Sequence, residues 1–271
     1  MDTSTQAEWD RRACEIARRY LVNLDGVTPE MLHRQTSWSP KKERPPSLAG
    51  IYQHLLATAQ NAQMNPNVIG RAIGGTERLG GILCEFEPVA VAKKYGSDWQ
   101  RVLGDIVREL KPKGQVRTGS KSLWPRFCKT ITSGAQFLTQ FKDARDFYGW
   151  ADLLDQDDRA RPALPMLLKY EIVGFGFPLA CDFIKDLGYL NFGKPDVHLK
   201  KIFTALGLSP TDDDYQVFKS IVRVAKNVET TPYEIDQLFW LIGSGNFYLD
   251  GIEIGGHRTE FIDYARKRLT P

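Results

Sequence analysis

The chain has 271 residues, and its 36 Lys and Arg against 33 Asp and Glu give a formal net charge of +3. Apolar residues make up 42% and charged residues 25%, which is typical of a globular protein and excludes a disordered or fibrous chain. No run of about 18 apolar residues occurs, and the start of the chain has no hydrophobic signal segment. We therefore expect a cytoplasmic protein without a membrane span. A net charge this small indicates that any nucleic-acid surface must come from local clusters of cations.

The cysteines and histidines lack the spacing of a metal site. They form no CxxC pair and no HExxH motif, so zinc-ribbon, iron–sulfur and zincin patterns are all missing. We expect no metal and no cofactor. The residues considered are Cys14, Cys84, Cys128, Cys181, His33, His54, His198 and His257.

Apolar residues recur at helical spacing along nearly the whole chain, which predicts an all-α fold. Helix starts are indicated by Thr28-Pro29-Glu30, by Ser209-Pro210-Thr211-Asp212 and by Thr231-Pro232-Tyr233-Glu234, where a capping hydroxyl comes shortly before the first turn. Strand-like alternation is confined to Tyr248–Ile254. The first linker is the basic, Pro-rich segment Ser39–Pro46.

A second break, Lys111–Lys121, is a basic loop that contains glycine. It is either a solvated surface loop or a segment that contacts a phosphate backbone, because such cations displace counterions from DNA.

The most informative segment is Leu164–Leu208, which predicts helix, tight glycine hairpin, helix, loop and helix. The hairpin, Val173-Gly174-Phe175-Gly176-Phe177, has two glycines that permit positive φ and close approach to another molecule. A helix is expected to begin at Phe177 or Pro178, with backbone N–H groups that suit a DNA phosphate. The simpler interpretation is a tight corner between two helices.

The segment Pro195-Asp196-Val197-His198-Leu199 follows the second helix. An Asp at this position is most simply an N-cap. The same carboxylate would also lie near any nucleotide that the hairpin holds.

This order of hairpin, helix and hydrophobic-Asp-x-His-hydrophobic segment resembles the helix-hairpin-helix DNA glycosylases. The resemblance places Asp196 on the catalytic aspartate of that family and His198 on its following histidine. Gly174, Phe175, Gly176 and Phe177 would be the DNA-binding hairpin. Upstream, Leu55–Asn61 resembles the first barrel helix of endonuclease III relatives, where Gln60 and Asn61 take the place of a DNA-inserting amide, although exposed or capping amides are an equal alternative. The iron–sulfur ligands of endonuclease III are missing.

The resemblance implies two helical subdomains, a six-helix-barrel-like part at 47–187 and a second part formed by 1–46 and 188–271, with a DNA-binding cleft between them. The carboxylate would stabilise the oxocarbenium-like transition state of N-glycosidic bond cleavage, after the base is flipped from the stack. Bifunctional members of the family have a nucleophilic Lys where this chain has Pro178. We therefore expect a monofunctional enzyme that acts on double-stranded DNA as a monomer. Lys185 and Lys194 are the lysines nearest to the position of the missing nucleophile and could substitute for it.

Two alternatives remain open from the residues, a non-catalytic helix-hairpin-helix DNA-binding protein and an abasic-site lyase. The excised base is not specified, so base-excision repair and defence against phage DNA with modified bases are both candidate roles. Asp236 is expected to be a capped or salt-bridged surface carboxylate. Core packing is the simpler role for Trp240 in its apolar helix. The aromatic residues considered for stacking a flipped base are Trp124, Phe175, Trp240 and Tyr248.

Overall fold

A computed structural model describes residues 3–37, 44–61, 68–119 and 122–269. These residues form fourteen α-helices, two 3-10 helices and one pair of two-residue strands, so the prediction of a mainly helical fold is confirmed. The chain divides into two compact units, one formed by Met1–Lys41 and Gly188–Pro271 and the other by Lys42–Leu187. Within the described ranges, no helix is both long and apolar enough to span a bilayer.

The first unit is built around one buried helix. Its apolar sequence is buried on nearly all sides, as expected for a helix that is hydrophobic around its circumference. The helices of this unit are α1 (Thr3–Val22), α2 (Pro29–Ser37), α11 (Val197–Ala205), α12 (Asp214–Asn227), α13 (Pro232–Ser244) and α14 (Arg258–Leu269). The buried helix is α13, which contacts the other five.

The second unit contains eight α-helices within its described residues. They are α3 (Leu48–Ala59), α4 (Val68–Ile73), α5 (Pro88–Tyr95), α6 (Trp99–Leu110), α7 (Leu123–Leu138), α8 (Ala144–Asp155), α9 (Ala163–Glu171) and α10 (Phe177–Asp186), with 3-10 turns at Thr76–Leu79 and Cys84–Phe86. Helix α7 contacts α3, α5, α6 and α9. Helices α9 and α10 pack against each other, and α10 also packs on α3.

Two of the three predicted helix starts are confirmed. The hydroxyl of Thr28 accepts a hydrogen bond from the N–H of Met31 at 3.2 Å, and that of Thr231 accepts from Glu234 at 3.2 Å. The start predicted at Ser209–Asp212 is wrong, because α12 begins only at Asp214.

The reason for this difference is local hydrogen bonding. Ser209 donates its hydroxyl to the carbonyl of Thr211 at 2.8 Å and so forms a turn. The carboxylate of Asp213 then accepts from the N–H groups of Tyr215 and Gln216, both at 3.0 Å. A carboxylate satisfying two free N–H groups is a stronger cap than the upstream hydroxyl.

The strand-like alternation corresponds to a small antiparallel hairpin. Strand β1 (Asn246–Phe247) pairs with β2 (Ile252–Glu253), with Asn246 opposite Glu253. The hairpin thus begins two residues before the alternating segment Tyr248–Ile254, whose first half forms the connecting turn.

Candidate active site and nucleic-acid interface

The glycine hairpin between α9 and α10 uses its two glycines differently. Gly174 has φ +92°, and a β-carbon built there would lie 2.7 Å from Thr130 Oγ1. Gly176 has φ −82° and ψ 163°, and its nearest neighbour would be Pro178 Cδ at 3.7 Å. Only Gly174 therefore needs both the left-handed conformation and the absence of a side chain.

Helix α7 holds the hairpin through two hydroxyl groups. Thr130 Oγ1 donates to the carbonyl oxygen of Val173 at 2.7 Å, and the N–H of Val173 donates to Ser133 Oγ at 2.9 Å. The rings of Phe175 and Phe177 are each only 3% exposed, whereas Val173 is 51% exposed. The two rings therefore anchor the hairpin, and its exposed groups are backbone atoms and Val173.

Helix α10 begins at Phe177, as predicted, with Gly176 as its N-cap. No side chain of the described residues caps this end. The free N–H groups of a helix start carry a partial positive charge and favour anions. The local arrangement is compatible with the predicted contact to a DNA phosphate.

Asp196 is the N-cap of α11, and its two carboxylate oxygens have different surroundings. Oδ1 accepts hydrogen bonds from the N–H groups of His198 at 2.8 Å and Leu199 at 3.0 Å. Oδ2 accepts none from the residues that the structure describes. The side chain is half-buried. Asp196 is therefore held rigidly by one oxygen, while the other is left to accept a further partner.

The loop before Asp196 is fixed by α13. The N–H of Tyr233 donates to the carbonyl of Leu190 at 3.1 Å, and the N–H of Lys194 donates to Asp236 Oδ2 at 2.9 Å. Asp236 is only 1% exposed, so the expectation of a surface carboxylate is wrong. Its helix is buried on nearly all sides, and the carboxylate is tolerated there because it receives a backbone hydrogen bond.

His198 packs against the last turn of α13. A β-carbon built on Gly243 would lie 2.4 Å from His198 Cβ, Cγ and Nδ1. The Nδ1 atom is buried and has no hydrogen-bond partner within the described residues. Burial lowers the pKa of His198, the cations Arg258 and Lys194 lower it further, and only Asp196 opposes this shift. The imidazole is therefore favoured in its neutral form.

Trp240 lies between these two contacts on α13. Residues 236, 240 and 243 are spaced i, i+4 and i+7, which places them on one face of a helix. Trp240 is half-buried, and its ring meets that of Tyr248 edge-on at a centroid distance of 6.1 Å. Tyr248 is 41% exposed. The spacing of residues 236, 240 and 243 is visible in the sequence. It does not by itself indicate that this face supports Asp196, because a carboxylate in a helix is usually exposed.

The other two aromatic candidates are enclosed. Trp124 is 5% exposed and Phe175 is 3% exposed, and the ring of Phe175 packs edge-on against Phe183 at 6.0 Å. Neither ring has the surface needed to stack on a base in this conformation.

The two predicted DNA-inserting amides also differ. Gln60 is 8% exposed, and its Oε1 accepts from the N–H of Gly70 at 3.1 Å. Asn61 is half-buried, and its Oδ1 has no partner in the described part of the chain. Gln60 would have to give up this hydrogen bond to enter a base stack, whereas the buried Oδ1 of Asn61 has none to a described residue to lose.

For the two lysines that could substitute for the missing nucleophile, the structure fixes the ammonium group of Lys185 and the backbone of Lys194. Lys185 is 7% exposed, and its ammonium lies 3.3 Å from the carboxylate of Asp182. The backbone N–H of Lys194 is engaged with Asp236, as described above.

The basic loop at 111–119 has no regular structure and is tied to α4, since the N–H of Lys113 donates to the carbonyl of Ala72 at 2.7 Å. Lys111, Lys113 and Arg117 are exposed. Ser120 and Lys121 of this loop, and residues 39–43 of the first linker, lie outside the described residues.

No protein-family model, curated protein or solved structure matches the chain.

Proposed function

We propose that the protein is a monofunctional DNA glycosylase that removes a damaged or modified base from double-stranded DNA and leaves an abasic site. The observation that carries the proposal is that the two oxygens of the Asp196 carboxylate differ in their hydrogen bonding. Oδ1 is fixed by two backbone N–H groups, and Oδ2 receives no hydrogen bond from the described residues. A charge held without reorganisation is the arrangement that stabilises a developing positive charge most effectively.

The reaction is hydrolysis of the bond between C1′ of the sugar and the base nitrogen. As the bond breaks, the electron pair leaves with the base and positive charge builds on the sugar. Asp196 stabilises that charge, and its free oxygen orients the water that attacks C1′. The water gives its hydroxyl to C1′, and the remaining proton neutralises the departing base.

Trp240 and Tyr248 are the aromatic side chains best suited to stack on the extruded base. Trp240 lies on the α13 face whose other members contact Lys194 and His198 on either side of Asp196. Base stacking on an aromatic ring contributes about 1–3 kcal/mol per base, which helps to offset the few kcal/mol lost when the base leaves the duplex.

The DNA contacts of the proposal come from the hairpin and from Asn61. Gly174, Gly176 and the start of α10 present backbone N–H groups to a phosphate without reading sequence. Asn61 fills the gap that the extruded base leaves. Gln60 instead stabilises the end of α3 through Gly70.

The absence of an amine at Pro178 supports a monofunctional reaction. Lys185 is a poor substitute because it is buried against Asp182. We therefore expect no strand nicking without alkali and no borohydride-trapped adduct between protein and DNA. Either result would favour the abasic-site lyase.

The test combines substrate discovery with one substitution. The protein is incubated with duplexes carrying oxidised, alkylated or deaminated bases and with phage genomes that contain hypermodified bases, and released bases are identified by mass spectrometry. This panel also separates a repair role from a role in phage defence. Asp196→Asn should lower base release by at least about 100-fold, while duplex affinity stays within about twofold of the parent protein.

Asn caps helices about as well as Asp, so this substitution should leave the melting temperature nearly unchanged. Asp212→Asn is the matched control, because Asp212 is an exposed carboxylate of the same unit, and it should retain full activity. The proposal fails if the parent protein binds duplex DNA but releases no base from any member of the panel. That outcome identifies a non-catalytic DNA-binding protein.

A further inference from the structure

Helix α7 presents one face to the glycine hairpin. Arg126, Thr130 and Ser133 are spaced i, i+4 and i+7, so they lie along one side of the helix. Thr130 and Ser133 both form hydrogen bonds with Val173 at the start of the hairpin. Arg126 therefore lies on the hairpin side of α7, one turn before Thr130.

The backbone confirms how close Arg126 is to the hairpin. A β-carbon built on Gly174 would lie 3.5 Å from the carbonyl oxygen of Arg126. Side chains of a helix lean towards its N-terminus, which would direct the guanidinium towards the end of α7 that the basic loop enters. That loop has exposed cations at Lys111, Lys113 and Arg117.

Arg126 is half-buried and forms no ion pair with any described carboxylate. Several other arginines of this unit form ion pairs, as Arg108 does with Asp105 at 2.6 Å. The nearby Lys129 has its ammonium over the ring of Trp99 at 5.2 Å. Arg126 thus contributes a positive charge beside the hairpin that no described acidic group neutralises.

Within the described residues 168–177, the last turn of α9 and the hairpin, the acidic residue is Glu171, which is exposed. Exposed Lys169 lies on the same turn of α9. The balance around the hairpin is therefore cationic, which fits a polyanion.

We propose that Arg126 binds a phosphate of the DNA backbone next to the one held by the hairpin, so that α7 and the hairpin form one phosphate-binding surface. This inference rests on the proposed function, because it takes the hairpin to bind DNA. The hydrogen bonds of Thr130 and Ser133 with Val173 hold the hairpin in place against α7. The guanidinium forms a planar fork of donors that suits two phosphate oxygens at once.

The test is the salt dependence of binding to an unmodified duplex, measured by fluorescence anisotropy on the full chain. Loss of one phosphate contact reduces the slope of log affinity against log salt by about 0.9. Arg126→Gln should show this smaller slope and bind roughly tenfold more weakly at low salt. Arg126→Lys keeps the charge and should retain the slope, although it loses the two-point geometry.

Arg145→Gln is the control, because Arg145 is an exposed arginine on α8 of the same unit. It should leave both the affinity and the slope unchanged. Melting temperatures of all three variants should match the parent protein, so a change in slope reports charge and not unfolding.

The outcomes separate this inference from the proposed function. If the parent protein binds DNA and Arg126→Gln has an unchanged slope, the Arg126 contact is wrong and the hairpin proposal stands. If Arg145→Gln lowers the slope as much as Arg126→Gln, the effect is that of overall charge and the specific contact is again wrong. If the parent protein does not bind duplex DNA, both proposals fail together.

Discussion

Gly243 on α13 lies so close to His198 on α11 that no side chain fits between them. A β-carbon at position 243 would lie 2.4 Å from His198 Cβ, far inside the normal contact distance of about 3.5–4.0 Å. The contact fixes the first turn of α11, whose N-cap is Asp196. The missing side chain of Gly243 thus helps to set the position of the proposed catalytic carboxylate.

Gly243→Ala should therefore destabilise the protein. Ala gains about 1 kcal/mol over Gly inside a helix, but forcing a methyl group into a packed site costs about 1–3 kcal/mol, and here the overlap involves the rigid part of the histidine. We expect a net loss of about 1–2 kcal/mol in the free energy of unfolding, measured by urea denaturation. Base release should fall together with stability.

A double-mutant cycle tests the cause. In a His198→Gly background the clash is gone, so Gly243→Ala should become neutral or stabilising by up to about 1 kcal/mol. Gly149→Ala is the control, because a β-carbon there meets nothing within 4 Å. An equal loss on both backgrounds would contradict the proposed contact.

Asp236 is predicted to position Asp196 through the loop between them. Asp236→Leu leaves the N–H of Lys194 without its acceptor, which costs about 1–3 kcal/mol when the group is buried. Asp236→Asn keeps an oxygen that can accept the same hydrogen bond and should be milder. We expect base release from bound DNA to fall more in the Leu variant than in the Asn variant, with duplex affinity nearly unchanged. Equal turnover of both variants and the parent protein would exclude this positioning role.

The stability of the first unit should decrease with acid because of His198. Its pKa is lowered in the folded protein by burial, so below the unfolded value of about 6.5 the unfolded chain binds more protons than the folded one. The free energy of unfolding should therefore be highest above pH ~6.5 and fall as the pH decreases towards the folded pKa. His198→Asn should flatten this dependence, whereas His33→Asn, at an exposed position of the same unit, should not. Denaturation curves between about pH 5 and 8 provide the measurement.

The two hairpin glycines should separate stability from DNA binding. Gly174→Ala meets Thr130 Oγ1 at 2.7 Å and requires φ +92°, which costs about 1–2 kcal/mol from the backbone conformation alone. Gly176→Ala has ordinary φ and space. The entropic gain from replacing glycine, about 0.4–1 kcal/mol, is offset because Ala is a poorer N-cap than Gly, so the melting temperature should be nearly unchanged.

A methyl group at exposed position 176 would nevertheless lie where the phosphate is proposed to approach. We expect Gly176→Ala to bind duplex DNA several-fold more weakly, as measured by anisotropy. Full DNA affinity in the Gly176→Ala variant would argue against a backbone contact at this hairpin.

The sequence predicted the local parts of the candidate site well, because those parts depend on neighbours along the chain. The start of α10 at Phe177 and the capping geometry of Asp196 follow from residue types a few positions apart. The helix start predicted at Ser209–Asp212 is wrong for the same reason, since Asp213, the residue directly after this segment, is a stronger cap. The buried position of Asp236 could not be predicted from the sequence, because a carboxylate in a helix is usually exposed. Its partner, Lys194, is 42 residues away in the chain.

The sequence by itself determined the helical class, the glycine turn and the capped aspartate, because helical periodicity, chain flexibility and N-capping act over less than two turns. Only the tertiary structure decided which groups support them. The burial of Asp236, the contact of Gly243 with His198 and the hydroxyl bonds from α7 to Val173 join segments far apart in the chain. Such contacts are fixed by how whole helices pack, and packing depends on shape and burial summed over the unit rather than on any local pattern.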